Sequence, residues 1–365
     1  MNYAETRISV IKKITKFEVD VDLVTMPDFF LDHSLAYRHK VDSFIERVIS
    51  VATKGGGEIP NVHQRLDAGG NAAICTLALS RLGAKVHPIM KTSRLGVLLL
   101  EYFCRDFGVD LSHVKPYGDL SPTIILEMGR GKKMANVMIG DWSGTSDLGF
   151  EDFQYEDLKL LSRAHFACVF NWLYNRKGTE LAAGVFKYCR ENSKALTFFD
   201  PADPWPRRDE LPELVRRILR KDLLDFLAVN DNEAILFARI LGKAKKTRGR
   251  RLTAGLQAGK TIAAATNAKV YVHTANYSAS IEHDHISIAP TFEVAVRRGT
   301  GAGDSWNAGV LIAESLGLHE EEKLIFANAV AARYISLPER TYATLDDMTK
   351  FLRKPSHALK KLPEV

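Results

Sequence analysis

The chain has 365 residues, 46% hydrophobic and 26% charged, as in a soluble globular protein holding one large α/β domain with an appendage or two ordinary domains. Its net charge of +6 equals the contribution of one run, Lys243, Lys245, Lys246, Arg248, Arg250 and Arg251, so the remainder is balanced, which argues against a broad nucleic-acid surface. The four scattered cysteines (Cys75, Cys104, Cys168, Cys189) suit free thiols in a reducing cytoplasm, and neither a membrane-spanning run nor a signal-peptide core is present.

Residues 1–16 are a polar lead-in whose Ile8, Ile11 and Ile14 suit an extra helix or a strand edge. Phe17, Val19, Val21 and Leu23 alternate with Glu18, Asp20 and Asp22, which predicts a strand running into Pro27 to Asp32. Residues 33–68, with Gly55-Gly56-Gly57 and Pro60, form a connection long enough to expect a purpose for it. Gly69-Gly70 opens a helix over 71–82, ended by Gly83. A strand at 86–89 and a helix at 95–107 follow. Pro122 to Met128 and Met134 to Ile139, around Gly129 to Lys133, read as a hairpin.

From 155 onward, strands near 165–170, 195–199, 225–229 and 268–274 alternate with helices near 178–190, 209–219 and 231–241. Such alternation predicts a mainly parallel sheet covered on both faces, with ligands at the C-terminal ends of its strands. A helix over 254–265 contains Ala254 to Thr261, which spells a permissive Walker A pattern. The basic run before it cannot be the buried strand a P-loop needs, so Lys260 reads as a surface lysine. A helix over 320–335 and a loose tail over 354–365 end the chain.

Phe292 to Val296 alternates like a strand, and Asn307 to Leu316 is apolar enough for a buried helix. Between them stands Arg298-Gly299-Thr300-Gly301-Ala302-Gly303-Asp304. A glycine turn entering a helix offers unpaired amides and the positive end of the helix dipole to an anion. A carboxylate in that turn repels an anion unless it has chemistry to do. The economical reading is that the amides of Gly301, Ala302 and Gly303 hold a transferring phosphate while Asp304 takes the proton from an attacking hydroxyl.

Thr300 to Gly309, TGAGDSWNAG, resembles the C-terminal signature DTxGAGDxFxAG of the ribokinase-like (phosphofructokinase B) carbohydrate kinases. Gly69 to Ala73 with Leu77 to Ala84 is similar to that family's GG…A…LARLGA, and Asn230-Asp231-Asn232-Glu233 to its NxxE. The resemblance implies a ribokinase-like three-layer α/β sandwich, a single domain with a small β lid inserted at approximately 33–68 and 119–145. It implies Mg²⁺-dependent transfer of the γ-phosphate of a nucleotide, foremost ATP, to a hydroxyl of a sugar or nucleoside, in the cytoplasm. Asp304 would be the base, and Asp32, Gly69, Gly70 and Asn71 would meet the acceptor. Asn230, Thr274, Thr300, Gly301, Gly303 and Asn328 would meet the nucleotide. Glu233, with Asn230 through water, would order Mg²⁺ beside Asp200.

Asn230 and Glu233 fit a helix cap and capping box equally well, and Asn328 fits a packing role. Relatives often pair through their lids, which adds a homodimer to the expectations. Arg298 replaces the family aspartate tied to monovalent-cation activation, so little K⁺ dependence is expected. Ala202 and Pro204 replace the Asn and Arg of DxNxR, neither glycine of TLGxxG follows Thr274, and Ile74 and Cys75 fill the places of a substrate-binding Asn. A sugar phosphate as acceptor, and a non-catalytic nucleotide- or sugar-binding relative, stand as alternatives. A Rossmann oxidoreductase is weaker, because GTGAGD is not GxGxxG.

Overall fold

The computed structural model describes residues 3–16, 18–130, 133–141, 147–242, 251–337 and 339–362. Phe17, the hairpin residues Gly131 and Lys132, residues 142–146 of the expected lid and the basic run from Lys243 through Arg250 lie outside them. The strands are β1 (Asp22–Met26), β2 (Phe30–Lys40), β3 (His63–Gly69), β4 (Lys85–Pro88), β5 (Ser121–Arg130), β6 (Lys133–Gly140), β7 (Phe166–Phe170), β8 (Leu196–Asp200), β9 (Phe226–Val229), β10 (Lys269–His273), β11 (Tyr277–Glu282) and β12 (His285–Pro290).

Eight strands form the central sheet in the order β12-β11-β10-β9-β8-β7-β1-β4. It is parallel from β4 to β10, and the hairpin β11–β12 closes it antiparallel. Successive residues feed opposite layers: Phe166, Cys168 and Phe170 of β7 enter one core, Ala167 and Val169 the other. A strand buried on both faces reads as an unbroken apolar run, which is why these strands were easy to place. Helices Asn71–Arg81, Ala302–Ser315 and Glu320–Ile335 pack in the first core; Gly178–Asn192, Asp231–Ile240 and Arg251–Ala263 pack in the second. The expected three-layer α/β sandwich is thus present. All four cysteines are buried free thiols, and no described helix is long and apolar enough to cross a membrane.

A second sheet, β3-β2-β5-β6, is antiparallel except between β2 and β5. Two of its strands lie within the expected segment 119–145, and the other two overlap 33–68 but reach back to Phe30 and on to Gly69. Between β2 and β3, within the long connection expected at 33–68, lies the helix Val41–Thr53. None of its side chains is buried, so its stability does not come from the main core.

Four expectations need correction. The first strand is Asp22–Met26 rather than 17–23, because the sheet takes the continuous apolar run and leaves the charged alternation outside. Residues 292–296 are not a sheet strand: Phe292 is buried and Val294 packs partly against the core, but the segment's pairing among the described residues is one isolated antiparallel bridge, Phe292 to Leu359, and Val296 is 62% exposed. The helix expected at 209–219 is a short turn, Leu211–Leu214, widened into a π-helical stretch, Val215–Leu219. The tail is not loose throughout. Glu293 N–H bonds to the Ala358 carbonyl and Lys360 N–H to that of Thr291, pinning 358–360 along 291–293.

Candidate active site

One cavity lies between the two sheets, lined by Phe30, Asp32, Gly70, Asn71, Ile74, Thr123, Met138, Gly140, Asn171, Tyr174, Thr300 and Asp304. The chain crosses it repeatedly because β1 leads straight into β2, carrying Asp28 and Asp32 from the central sheet to the small one. Asp32, Gly70, Asn71, Thr300 and Asp304, far apart in sequence, are brought together here.

The glycine pair is dictated by two carboxylates. A Cβ on Gly69 would fall 2.1 Å from Asp32 Oδ1, and one on Gly70 2.6 Å from Asp28 Oδ2, at a φ of +92° that side chains rarely adopt. Asp28, a site residue that no motif marks, accepts from the backbone N–H groups of Asn71 and Ala72, both at 3.0 Å, and from Asn171 Nδ2 at 2.7 Å. It therefore caps the helix Asn71–Arg81 from outside. Burial pushes its carboxyl up to about 6 although those bonds hold it down. Asp32, a residue of β2 rather than one following a central strand, is bound by Arg340 at 2.5 Å.

At the other side, Gly301 takes φ +85° and starts the helix Ala302–Ser315, with no side chain capping it. A Cβ there would meet the Tyr334 hydroxyl at 2.6 Å. The first backbone bond of this helix runs from Ser305 N–H to the Gly301 carbonyl, so the amides of Ala302, Gly303 and Asp304 precede the ladder. Asp304 is 6% exposed, and its Oδ1 has no hydrogen-bond partner among the described residues. Burial, then the charges of Asp200 and Asp28, push its carboxyl well above the usual range; the Asn71 side chain and Arg340 partly oppose them.

Around this helix start stands a polar shell. Asp200, at the end of β8, accepts from Asn307 Nδ2 at 2.6 Å and from Ala202 N–H at 2.9 Å, fixing the helix to the sheet. Asn230 Oδ1 accepts from the amides of Asn232 and Glu233, while Glu233 accepts from Asn230 N–H and from its side-chain amide. The capping box is thus formed. Glu233 is nonetheless buried, and desolvation with the charges of Asp200, Asp203 and Asp231 raises its pKa strongly, so a cation would be welcome there. Among the described residues no group of three or more His, Cys, Asp or Glu is arranged to hold a bare ion. His273, at the end of β10, stacks on Trp306 with centroids 5.0 Å apart and faces Gly303; its Nε2 is buried without a partner among the described residues.

Two expected nucleotide contacts are otherwise occupied. Thr274 Oγ1 donates to the Tyr277 carbonyl and accepts from the amides of Asn276 and Tyr277, shaping the turn from β10 to β11. Asn328 accepts from Trp306 Nε1 at 2.9 Å and donates to the Pro290 carbonyl at 3.0 Å, which is packing chemistry. Neither residue lines the cavity, nor do Asn230 and Glu233. Asn171, Tyr174, His273 and Arg340 were not foreseen. They follow strands or helices in stretches without a motif, and only the fold assembles them.

Residues 39–344 match the sequence model of the pfkB family carbohydrate kinase. No curated protein matches the chain. Several solved structures share its fold. Ribokinase of Arabidopsis thaliana, complexed with ribose and ATP, is 18% identical with a TM-score of 0.68, over 92% of this chain and 100% of that one. For 2-dehydro-3-deoxygluconokinase of Thermotoga maritima the values are 15%, 0.70, 93% and 99%. For adenosine kinase of Sinorhizobium meliloti they are 17%, 0.67, 91% and 99%. With the glycine turn, the paired carboxylates and the family match over most of its length, this chain belongs to the pfkB family of carbohydrate kinases and is a phosphotransferase of ribokinase-like fold.

Proposed function

We propose that the protein transfers the γ-phosphoryl group of a nucleotide, foremost ATP, to a hydroxyl of a sugar or nucleoside held between Asp32 and Asp304. The carrying observation is Asp304 Oδ1, a buried oxygen without a partner among the described residues, placed in the first turn of a helix whose leading amides are unused by the helix itself. The amides of Gly301, Ala302 and Gly303 at this helix start receive the transferring phosphoryl group and spread its charge. Asp304 accepts the proton from the attacking hydroxyl, which requires the carboxylate form. Asp32, with Asn71 and Asn171 in the same cavity, takes the other hydroxyls of the acceptor, while Phe30, Ile74 and Tyr174 offer apolar surface to its ring. The small sheet over the cavity acts as a lid that excludes water from competing as acceptor.

The carboxylates of Glu233 and Asp200, with the amide of Asn230, fit the outer shell of a hydrated Mg²⁺, a hard ion that keeps most of its waters. Such an ion supplies charge neutralisation for the phosphates. Asn230 keeps its capping role at the same time.

The test is nucleoside diphosphate release from Mg-ATP with and without a panel of sugars, nucleosides and sugar phosphates. Release stimulated by a sugar or nucleoside supports the reading. Stimulation by no acceptor of any class contradicts it and favours a binding protein.

A further inference from the structure

Asp32 of β2 stands directly opposite Asp67 of β3 in an antiparallel pair, so both carboxylates leave the sheet on one side and repel. The cation that joins them comes from neither strand. Arg340, in the segment after helix Glu320–Ile335, donates from Nη2 to Asp32 Oδ2 at 2.5 Å and from Nη1 to the Ala68 carbonyl. Its Nε lies 3.6 Å from Asp67 Oδ2, whose other flank is held by Arg65 at 2.5 Å. Asp32 thus has Arg340 as its ion-pair partner among the described residues, and the two side chains are 3% and 5% exposed.

So deep a pair has a defined consequence when halved: the remaining charge is buried and uncompensated. For Asp32, burial is the main influence raising its pKa, Asp67 adds to it, and Arg340 alone opposes them. Tyr334 and Tyr342 flank Arg340, with the Arg298 guanidinium 5.3 Å over the Tyr334 ring. A phenol has no cationic form, so neither can replace the guanidinium as a counter-charge, and burial shifts both upward, which keeps them from adding a negative charge beside Asp32. Arg340 does not line the cavity. It reaches Asp32 from behind, while Gly69 leaves room for the carboxylate to lie against the backbone.

We propose that Arg340 is the positioning residue of the acceptor site: it keeps Asp32 ionised and fixed in direction, so that Asp32 accepts hydrogen bonds from acceptor hydroxyls instead of donating one. The proposal rests on the reading of the cavity as the acceptor site. It adds a dependence of acceptor recognition on the C-terminal segment, more than three hundred residues from Asp32 in sequence.

The experiment compares Arg340→Gln and Arg340→Lys with the unmodified protein, using ribose and adenosine as probes. Acceptor KM, kcat and nucleotide binding are measured from about pH 5 to about pH 9, with melting temperature recorded for each variant. Arg340→Gln should raise the acceptor KM about 10- to 100-fold, the equivalent of losing a hydrogen bond to a charged group, with kcat and nucleotide binding little changed. Its KM should fall as pH rises, because an unpaired buried Asp32 ionises only at higher pH; Arg340→Lys should recover most of the affinity and flatten that slope. A drop in kcat at constant KM, or equal losses in both variants without a pH slope, would overturn the assignment. If the unmodified protein bound a probe but never phosphorylated it, the kinase reading would fail, and calorimetric binding of that probe would still decide the role of Arg340. Binding of neither probe to the unmodified protein counts against the assignment itself.

Discussion

The helices Asn71–Arg81 and Ala302–Ser315 begin at the same cavity, and each starts at a glycine with positive φ, Gly70 at +92° and Gly301 at +85°. Their free amides are treated in opposite ways. At the first helix Asp28 accepts from Asn71 and Ala72, so the protein's own carboxylate fills the anion position. At the second helix no side chain caps the end, and the nearby carboxylate, Asp304, sits inside the first turn with one oxygen unpaired. The difference separates structure from function. A helix start neutralised by an internal acid holds the fold together, whereas one left open beside a desolvated acid is available to a phosphate.

The largest expected effect breaks the open end. Asp304→Asn should lower kcat by about 10²- to 10⁴-fold, the range for a lost general base, while nucleotide binding and melting temperature hold or rise because a desolvated charge is removed. Steady-state kinetics with thermal denaturation checks both halves. In the unmodified enzyme kcat/KM for the acceptor should fall as pH drops through the raised pKa of Asp304, since only the ionised form accepts a proton. The acid limb then lies well above the ordinary carboxylate range. A limb near pH 4, the ordinary carboxylate value, would contradict this assignment.

Next in size is the closed end. Asp28→Ala strands the buried Ala72 amide, the half-buried Asn71 amide and the Asn171 side-chain amide, and should cost about 2–4 kcal/mol of stability by denaturant unfolding. A change within error there would show that water or another group serves those donors. The smallest effect concerns Arg298, which is 6% exposed and donates from Nε to the Leu337 carbonyl at 3.1 Å. Because Arg298 stands where the family motif carries the aspartate tied to monovalent-cation activation, replacing Na⁺ with K⁺ should leave turnover little changed. A strong rate increase with K⁺ would sink that reading.

The open end was legible in the sequence because its elements are contiguous: the glycines, Asp304 and the apolar helix all fall between Gly299 and Ser315. The central parallel strands were legible for the same reason, each being a short unbroken apolar run. The closed end was not. Asp28 and Asn171 lie 143 residues apart, and nothing local announces that one caps a helix beginning at Asn71. Asp32 and Arg340 are farther apart still. The misplaced strand at 292–296 has a physical cause as well. Alternation reports a half-buried face but not a ladder, and here Phe292 and Val294 do face the core while one isolated bridge to Leu359 stands where a neighbouring strand would be needed. Thr274 and Asn328 sat where the family resemblance put them, but turn and packing bonds consume their polar atoms.

The most direct measurement follows backbone amide resonances of the ¹⁵N-labelled protein as Mg-nucleotide is added without acceptor. The signals of Gly301, Ala302 and Gly303 should move with saturation, while those of Asn71 and Ala72, already bound by Asp28, stay in place. Saturable binding that leaves 301–303 unmoved, or that shifts Asn71 and Ala72 instead, would contradict the account.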